Sequence, residues 1–452
     1  MTSPSQAPSR TLAEFAVELS YDDIPAPIVE AARNAILDSV GVMIFGSTLP
    51  WSRIVMGYAR AYGAGGPATI MGTADKVGTP FAALANGTLA HAFEMDNLRQ
   101  PSAGVHAGST IVPALLAAAE ETGAGGRDVI TGFVAACEVM SRIGIAADNT
   151  AEKLGFHSPG LTGTFGSAVA AGLLFGLDAE RLNAAFGIAG SLCSGLLAFS
   201  KAGNGGMVKR LHTGRASEGG VLAARLAAGG FSGPDVILEG KFGFFEVFTR
   251  NPNLGELLNG LGENWETARI CTKCYPCHIT AHTPVRALEE LKQAHGFAGD
   301  DIAEIQVASS EKVLSHHNLT HAGDITTVQY SLPFCLATAA YRNPSDPGSF
   351  LDSPHEDPKI SGLAHRVAVT LNEESLLPGR AWATRLKVIL KDGTAFETAR
   401  SDFRGAPSDP MSAQELDAKF LSLTGSLGGR ARALLDRLRR LEACADIRVL
   451  FA

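Results

Sequence analysis

The sequence has no excess of positive charge, no apolar leader and no long uninterrupted hydrophobic run. Its 452 residues carry 38 Lys and Arg against 46 Asp and Glu, a formal charge of −8. This balance argues against nucleic acid or an anionic membrane as a partner. The longest uncharged run, residues 158 to 177, is interrupted by Gly, Ser and Thr and is a poor membrane span. The first ten residues are polar, so we predict no secretion signal and no membrane association.

Cysteine is scarce and odd in number. Seven cysteines without an export signal predict free thiols in a reducing cytoplasm. Three of them stand at C-x₂-C-x₂-C in "ICTKCYPCHITAH", residues 270 to 282, together with Lys273, His278 and His282. This spacing leaves two alternatives, a zinc or iron–sulfur site, or a segment in which the lysine and histidines act while the thiols pack. The run lacks a clear fourth partner pair at zinc-finger distance, so we favour the second alternative and predict no metal.

The chain is too long for one compact core, which predicts two domains. Residues 11 to 266 show helical periodicity, and "GLTGTFGSAVAAGLLFGLD" is apolar nearly all round, as in a buried central helix. The fold class that we expect is therefore mainly α, with a large all-helical domain. From "SAQELDAKFLSLTG" onward the chain is helical again, so residues 403 to 452 are predicted to complete this domain.

The character of the sequence changes between these helical parts. "DIAEIQVASS" alternates in apolarity, and "TRLKVILKDGTAFETAR" predicts two strands joined by the turn at Asp392 and Gly393. "AHTPVRALEELKQAH" predicts a helix ahead of these strands. We therefore predict that residues 267 to 402 form a smaller inserted α+β lid domain, with a cleft between the two domains.

Polar residues concentrate in four stretches. In "AHAFEMDNLRQPSAGVHAGS", His91 and Glu94 would share one face if residues 88 to 96 were helical. Singly, His91 could be a satisfied core histidine, and the nearby carboxylates could cap or pair with Arg99. The second stretch places His157 before an uncharged helix whose N-terminus offers N–H groups to an anion.

The third stretch, "GNGGMVKRLHTGRAS", places Lys209 in a glycine-rich loop, where backbone can approach a ligand, and Arg210 on a solvated face. The fourth is the cysteine-containing segment with Lys273 and His278. Together the four stretches describe a site with several cations and imidazoles, which suits a di- or tricarboxylate substrate.

In this order the four stretches resemble the MmgE/PrpD family, from about residue 11 to the C-terminus. "ALANGTLAHAFEMDN" is similar to the family's N-G-x-x-x-H-x-x-D-x-D-D helix, and "GFHSPGLTGTFGSAVAAGLLFGLD" to its G-F-H stretch. "VKRLHTGRASEGG" and "KCYPCHITAH" match its two lysine-containing runs. The resemblance implies a helical domain with a smaller lid, a homodimer, no metal and no organic cofactor.

The resemblance also implies site residues. We predict that catalysis is carried by His157, Lys209, His106 and His278, and that the substrate is bound by Lys273, Glu94, Asp96, Arg99 and His91. The family's reactions remove or deliver a proton on carbon next to a carboxylate, so the cations would offset the developing negative charge while a histidine or lysine exchanges the proton.

The resemblance leaves the reaction itself open. Asn97, Leu98 and Phe334 stand where relatives have carboxyl or hydroxyl groups, which would serve a departing hydroxyl. On that ground we expect a cofactor-independent epimerase acting on a small polycarboxylate like iminodisuccinate. The alternative is a hydro-lyase of the 2-methylcitrate dehydratase type, or a related decarboxylase. A third, less favoured alternative is a non-enzymatic carboxylate-binding protein. It would be favoured only if the lysines proved dispensable.

Overall fold

The computed structural model describes residues 7–101, 103–200 and 206–451, and is mainly helical, with 59% helix and 10% strand. Contacts divide the chain into two units. The first, called the helical unit, comprises the residues up to Ala92, Asp96–Ile270 and those from Ala413 on. The second unit comprises Phe93–Met95 and Cys271–Ser412. The chain thus leaves the helical unit at 270 and returns at 413, where the sequence predicted 266 and 403.

The helical unit contains thirteen α-helices within the described residues. They are α1 (Pro8–Glu18), α2 (Ala26–Ser47), α3 (Ser52–Gly63), α4 (Thr79–Ala90), α5 (Ala107–Thr122), α6 (Gly126–Ala146), α7 (Thr150–Lys153), α8 (Ser158–Leu174), α9 (Ala179–Leu192), α10 (Val208–Ala228), α11 (Phe244–Phe248), α17 (Ala413–Leu423) and α18 (Arg430–Leu438). The unit is not all-helical as predicted, because strands β1 (Ala64–Thr69) and β2 (Lys76–Val77) form a small antiparallel pair. Two further short strands are β3 (Leu98–Arg99) and β4 (Ile270–Cys271).

Helix α8 forms the centre of the helical unit, in contact with α5, α6, α9 and α10. Every residue from Ser158 to Gly172 is buried, as its apolar circumference predicts. Small residues let these helices approach closely: a Cβ on Gly220 of α10 would lie 2.3 Å from the Ser167 Cβ of α8. Close packing fixes the N-terminal ends of α8 and α10, which carry site residues.

Helix α6 is, among the described residues, the one helix long and apolar enough to cross a membrane by length and composition. However, 89% of its most apolar window is buried inside the protein. Val129, Phe133 and Met140, predicted to share an apolar face, are all fully buried. Such burial is what a core helix of a globular protein shows.

The second unit has a four-stranded sheet in the order β6-β5-β7-β8. Its elements are α12 (His282–His295), β5 (Ile302–Ser309), α13 (Ile325–Tyr330), α14 (Leu332–Tyr341), α15 (Gly348–Leu351), α16 (Pro358–Ala364), β6 (Val367–Leu371), β7 (Thr384–Leu390) and β8 (Ala395–Arg400). The predicted hairpin is present, since β7 and β8 pair antiparallel and Gly393 adopts φ 87° in the turn. Strand β6 and helices α13 to α16 were not predicted.

Candidate active site

Asp96 is the centre of a buried histidine cluster in the helical unit. Its Oδ2 accepts hydrogen bonds from His91 Nδ1 at 2.9 Å, His106 Nδ1 at 2.7 Å and Ser109 Oγ at 2.8 Å. The condition under which His91 and Glu94 would share one helical face is not met, because α4 ends at Ala90 and Glu94 has φ 56°. The non-helical segment turns Asp96 back toward His91 and toward His106, the N-cap residue of α5.

The hydrogen bonds of Asp96 determine the proton positions on both imidazoles. Burial opposes ionisation of Asp96, but the attraction of His91 and His106 and their hydrogen bonds outweigh it and hold the carboxyl pKa well below its usual range. An ionised carboxylate is an acceptor, so each ring donates through Nδ1–H. Each neutral ring therefore keeps a lone pair on Nε2, which can accept a proton.

His157 and Lys209 belong to the same neighbourhood. His157 is the N-cap residue of α8, and its ring centroid lies 5.8 Å from that of His91. Lys209 is the second residue of α10 and is buried with 4% exposure. The predicted glycine-rich loop before it falls largely on residues 203 to 205, which lie outside the described residues, whereas Lys209 itself is helical.

Burial keeps the inner histidines neutral. Burial, opposed by Asp96 and assisted by the charge of Lys209, lowers the pKa of His91 to about 3. Burial first, and then the neighbouring imidazoles, lower the pKa of His157 well below its usual range. A neutral imidazole can donate through one nitrogen and accept through the other, which is what acid–base chemistry near pH 7 requires.

The low pKa of His91 predicts acid sensitivity of the fold. Between about pH 6.5 and pH 3 the unfolded chain binds a proton at this position that the folded chain does not, so stability falls as the pH falls. Lowering the pH from 7.5 to 5.5 should cost about 1.4 kcal/mol through His91. Urea unfolding of wild type and of His91→Asn would measure this. The difference between their unfolding free energies should be smaller at pH 5.5 than at pH 7.5 by that amount. A constant gap for His91→Asn would contradict the burial argument.

Arg99 and Arg210 both have partners in the helical unit. Arg99 Nε donates to Glu266 Oε2 at 2.6 Å in a partly buried ion pair, and its role in substrate binding stays a prediction. Arg210 is not solvated: its exposure is 7%, its Nε donates to the Ala92 carbonyl at 2.8 Å, and its guanidinium lies 4.7 Å from the centroid of the Trp51 ring. Both arginines stabilise the local fold.

In the second unit, Lys273 forms a buried ion pair with Glu94. The distance from Lys273 Nζ to Glu94 Oε2 is 3.0 Å. Glu94 holds the ammonium group of Lys273 in this pair, and its role in substrate binding stays a prediction. The lysine remains a candidate for binding a carboxylate.

His278 Nδ1 contacts Thr280 in two ways. It lies 2.9 Å from Thr280 Oγ1, where either atom can donate, and 3.5 Å from the Thr280 backbone nitrogen. The ring of His317 stacks on the His278 ring with centroids 4.1 Å apart, and His317 Nδ1 donates to the Tyr330 carbonyl at 3.0 Å. His317 was not predicted. It ends a π-helical turn, Val313–His317, a feature that often marks functional sites.

The three cysteines in residues 270 to 282 do not form a group close enough to share a metal ion. Cys274 Sγ donates to the Arg404 carbonyl at 3.1 Å, while Cys271 and Cys277 are fully buried. Burial raises the pKa of Cys277, but a hydrogen bond from Cys335 and the charges of His282 and Lys273 lower it to about 5.

His91, Asp96 and His106 form, in the described parts of the chain, the one group of three potential metal ligands within 4.8 Å of each other. Their short separations are the hydrogen bonds already described, with both Nδ1–H groups directed at the carboxylate. Absence of a metal requirement stays a prediction.

Histidines oriented by one carboxylate, beside a buried lysine, can exchange a proton with an anionic ligand and offset its charge. The MmgE/PrpD N-terminal domain matches residues 10–257, and the MmgE/PrpD C-terminal domain matches residues 275–443. The chain therefore belongs to the MmgE/PrpD family.

Several relatives are similar over nearly the whole chain. The cis-aconitate decarboxylase of Aspergillus terreus is 28% identical, over 96% of this chain and 93% of its own. The cis-aconitate decarboxylase-like protein oryM of Aspergillus oryzae is 29% identical, over 98% and 96%. The human cis-aconitate decarboxylase is 24% identical, over 94% and 89%. These relatives support a lyase and do not support the epimerase that the sequence led us to expect.

Proposed function

We propose that this protein is a cofactor-independent lyase that decarboxylates a small unsaturated tricarboxylate, with cis-aconitate as the first candidate. The relatives named above support this reaction class. The observation that carries the proposal in the structure is the Asp96 carboxylate, which orients His106 as a proton carrier. Lys209 and the neutral His157 belong to the same unit.

The chemistry of decarboxylation matches these groups. When CO₂ leaves, the electron pair of the broken carbon–carbon bond stays on the substrate and must be stabilised and then protonated. We assign the proton to His106, since Asp96 stabilises its imidazolium form and its side chain keeps 17% exposure, through which it can be reprotonated. We assign charge stabilisation to Lys209 and to an N–H of His157. Lys273 and His278, which belong to the second unit, stay predicted substrate-binding and catalytic residues.

We expected an epimerase because of the residues at three positions, Asn97, Leu98 and Phe334. All three side chains are buried in the protein interior. Asn97 is fully buried, and its amide donates to the Ala35 carbonyl at 3.0 Å and to Ser39 Oγ at 2.9 Å. Leu98 and Phe334 are buried with 4% and 1% exposure. Because these residues are explained by local packing, their identity does not discriminate between departure of hydroxyl, departure of CO₂ and inversion.

The test is an assay of three substrates in D₂O after dialysis against a chelator. Cis-aconitate is expected to release CO₂ in a one-to-one ratio with an unsaturated dicarboxylate carrying one solvent deuterium. An alkene formed from 2-methylcitrate without CO₂ release would favour the hydro-lyase. Deuterium at an inverted carbon of iminodisuccinate would favour the epimerase. Loss of activity on dialysis, restored by zinc or iron, would contradict the prediction of no metal.

The cellular location and assembly are also proposals. The seven cysteines are all free, and five of them are buried, which is consistent with a reducing compartment such as the cytoplasm. A homodimer is proposed from the family resemblance alone, and light scattering of the purified protein would test it.

A further inference from the structure

His157 contacts a second imidazole that the proposed reaction does not use. The distance from His157 Nδ1 to His212 Nδ1 is 3.1 Å, and the ring centroids are 5.2 Å apart. His212 lies on α10 one turn after Lys209, while His157 caps α8. Two neutral imidazoles in this contact share a single proton, so one Nδ1 must donate and the other must accept.

Gly195 and Phe199 lie close to both imidazoles. Gly195 has φ 144°, and a Cβ there would lie 3.2 Å from His212 Nδ1 and 3.5 Å from the His157 Cβ. The Gly195 carbonyl also accepts the backbone N–H of His157 at 3.0 Å. The Phe199 ring lies edge-on to both imidazoles, at 5.5 and 5.9 Å. These contacts hold both rings in place.

The electrostatics oppose a second proton on the pair. Burial, and then the charge of Lys209, lower the pKa of His212, in the same direction as that of His157. The titratable groups that act on the two rings are His91 at the end of α4, Asp96 in the following segment, His106 at the start of α5 and Lys209 on α10. Asp96 is already engaged by His91 and His106, so it does not determine which nitrogen of His157 carries the proton.

We infer that His212 is a positioning residue for His157, donating its Nδ1–H to His157 Nδ1 and thereby fixing the proton of His157 on Nε2. This inference rests on the proposed function for its direction. Neutral His91 has a lone pair on Nε2, and the proton of His106 is the one delivered to the substrate, so the N–H that stabilises negative charge has to come from elsewhere. A neutral His157 with Nε2–H supplies it without adding a charge to the buried cluster.

The test uses the full-length protein with ¹⁵N-labelled histidine and three variants. His212→Asn keeps an N–H near the Nδ1 position, whereas His212→Phe and His212→Leu fill the space without a donor. In wild type and His212→Asn, nitrogen–proton correlation spectra should show His157, assigned with His157→Asn, as the Nε2–H form. In His212→Phe, or in His212→Leu if the first variant does not fold, His157 should lose this single form.

The kinetic readout should follow the spectra. Without the donor, kcat for CO₂ release is expected to fall roughly 10- to 100-fold with KM nearly unchanged, and His212→Asn should recover most of the loss. A wild-type His157 protonated on Nδ1, or a His212→Phe protein with unchanged spectrum and kcat, would overturn the inference. The spectra need no substrate, so an absence of decarboxylation would overturn the proposed function and leave the assignment of His157 intact.

Discussion

Replacing Asp96 by Asn is expected to lower kcat for decarboxylation by about 10³- to 10⁴-fold. The carboxylate accepts from two imidazoles and one hydroxyl at the same oxygen. An amide oxygen in the place of Oδ2 can accept the same three hydrogen bonds, but it carries no negative charge. His106 would then lose the charge that stabilises its imidazolium form. Steady-state kinetics with cis-aconitate would measure the loss.

Asp38 provides a matched control for this substitution. It is a buried carboxylate in the same unit, paired with Lys419 Nζ at 2.6 Å and accepting from Asn97 Nδ2 at 3.1 Å. Asp38→Asn should lower the melting temperature and leave kcat close to that of wild type. Asp96→Asn should lower kcat strongly and change the melting temperature less. Equal losses of kcat in the two variants would indicate that Asp96 acts through stability, against the proposed role.

The parts of the fold that sequence predicts are those determined by local pattern. The Asp392-Gly393 turn follows from the need for positive φ, and the continuous burial of α8 follows from its apolar circumference. The end of α4 was missed because nothing local stops the helix at Ala90. There the competing interactions come from distant residues, since Asp96 is held by His106 and Ser109, ten and thirteen residues onward.

The site could be predicted by residue type and not by contact. Resemblance to the family identified His106, His157 and Lys209, and the structure places all three in the helical unit. The resemblance gave no partner for any of them. The residue pattern assigned Arg210 to solvent, although that side chain is buried. His212 had one usable signal, its position one helical turn after Lys209, which places both on one side of α10. Its contact with His157 depends on the packing of α8 against α10, which no local pattern encodes.

Neighbouring Lys209 and Arg210 allow charge stabilisation to be separated from stability. Lys209→Met preserves the length and apolar stem of the side chain and removes the ammonium group. If Lys209 offsets charge that develops as CO₂ leaves, this variant should lose about 10²- to 10³-fold in kcat/KM, equivalent to roughly 2–4 kcal/mol.

Arg210→Ala is expected to show the opposite behaviour. The arginine binds the Ala92 carbonyl and lies over Trp51, so its removal should destabilise the fold by about 1–3 kcal/mol. Assayed well below its melting temperature, the folded fraction should retain kcat within about threefold, since no reacting charge is lost. Thermal melts and kinetics on the same preparations would separate the two effects. A Lys209→Met protein that decarboxylates at the wild-type rate would contradict the assignment of charge stabilisation to Lys209.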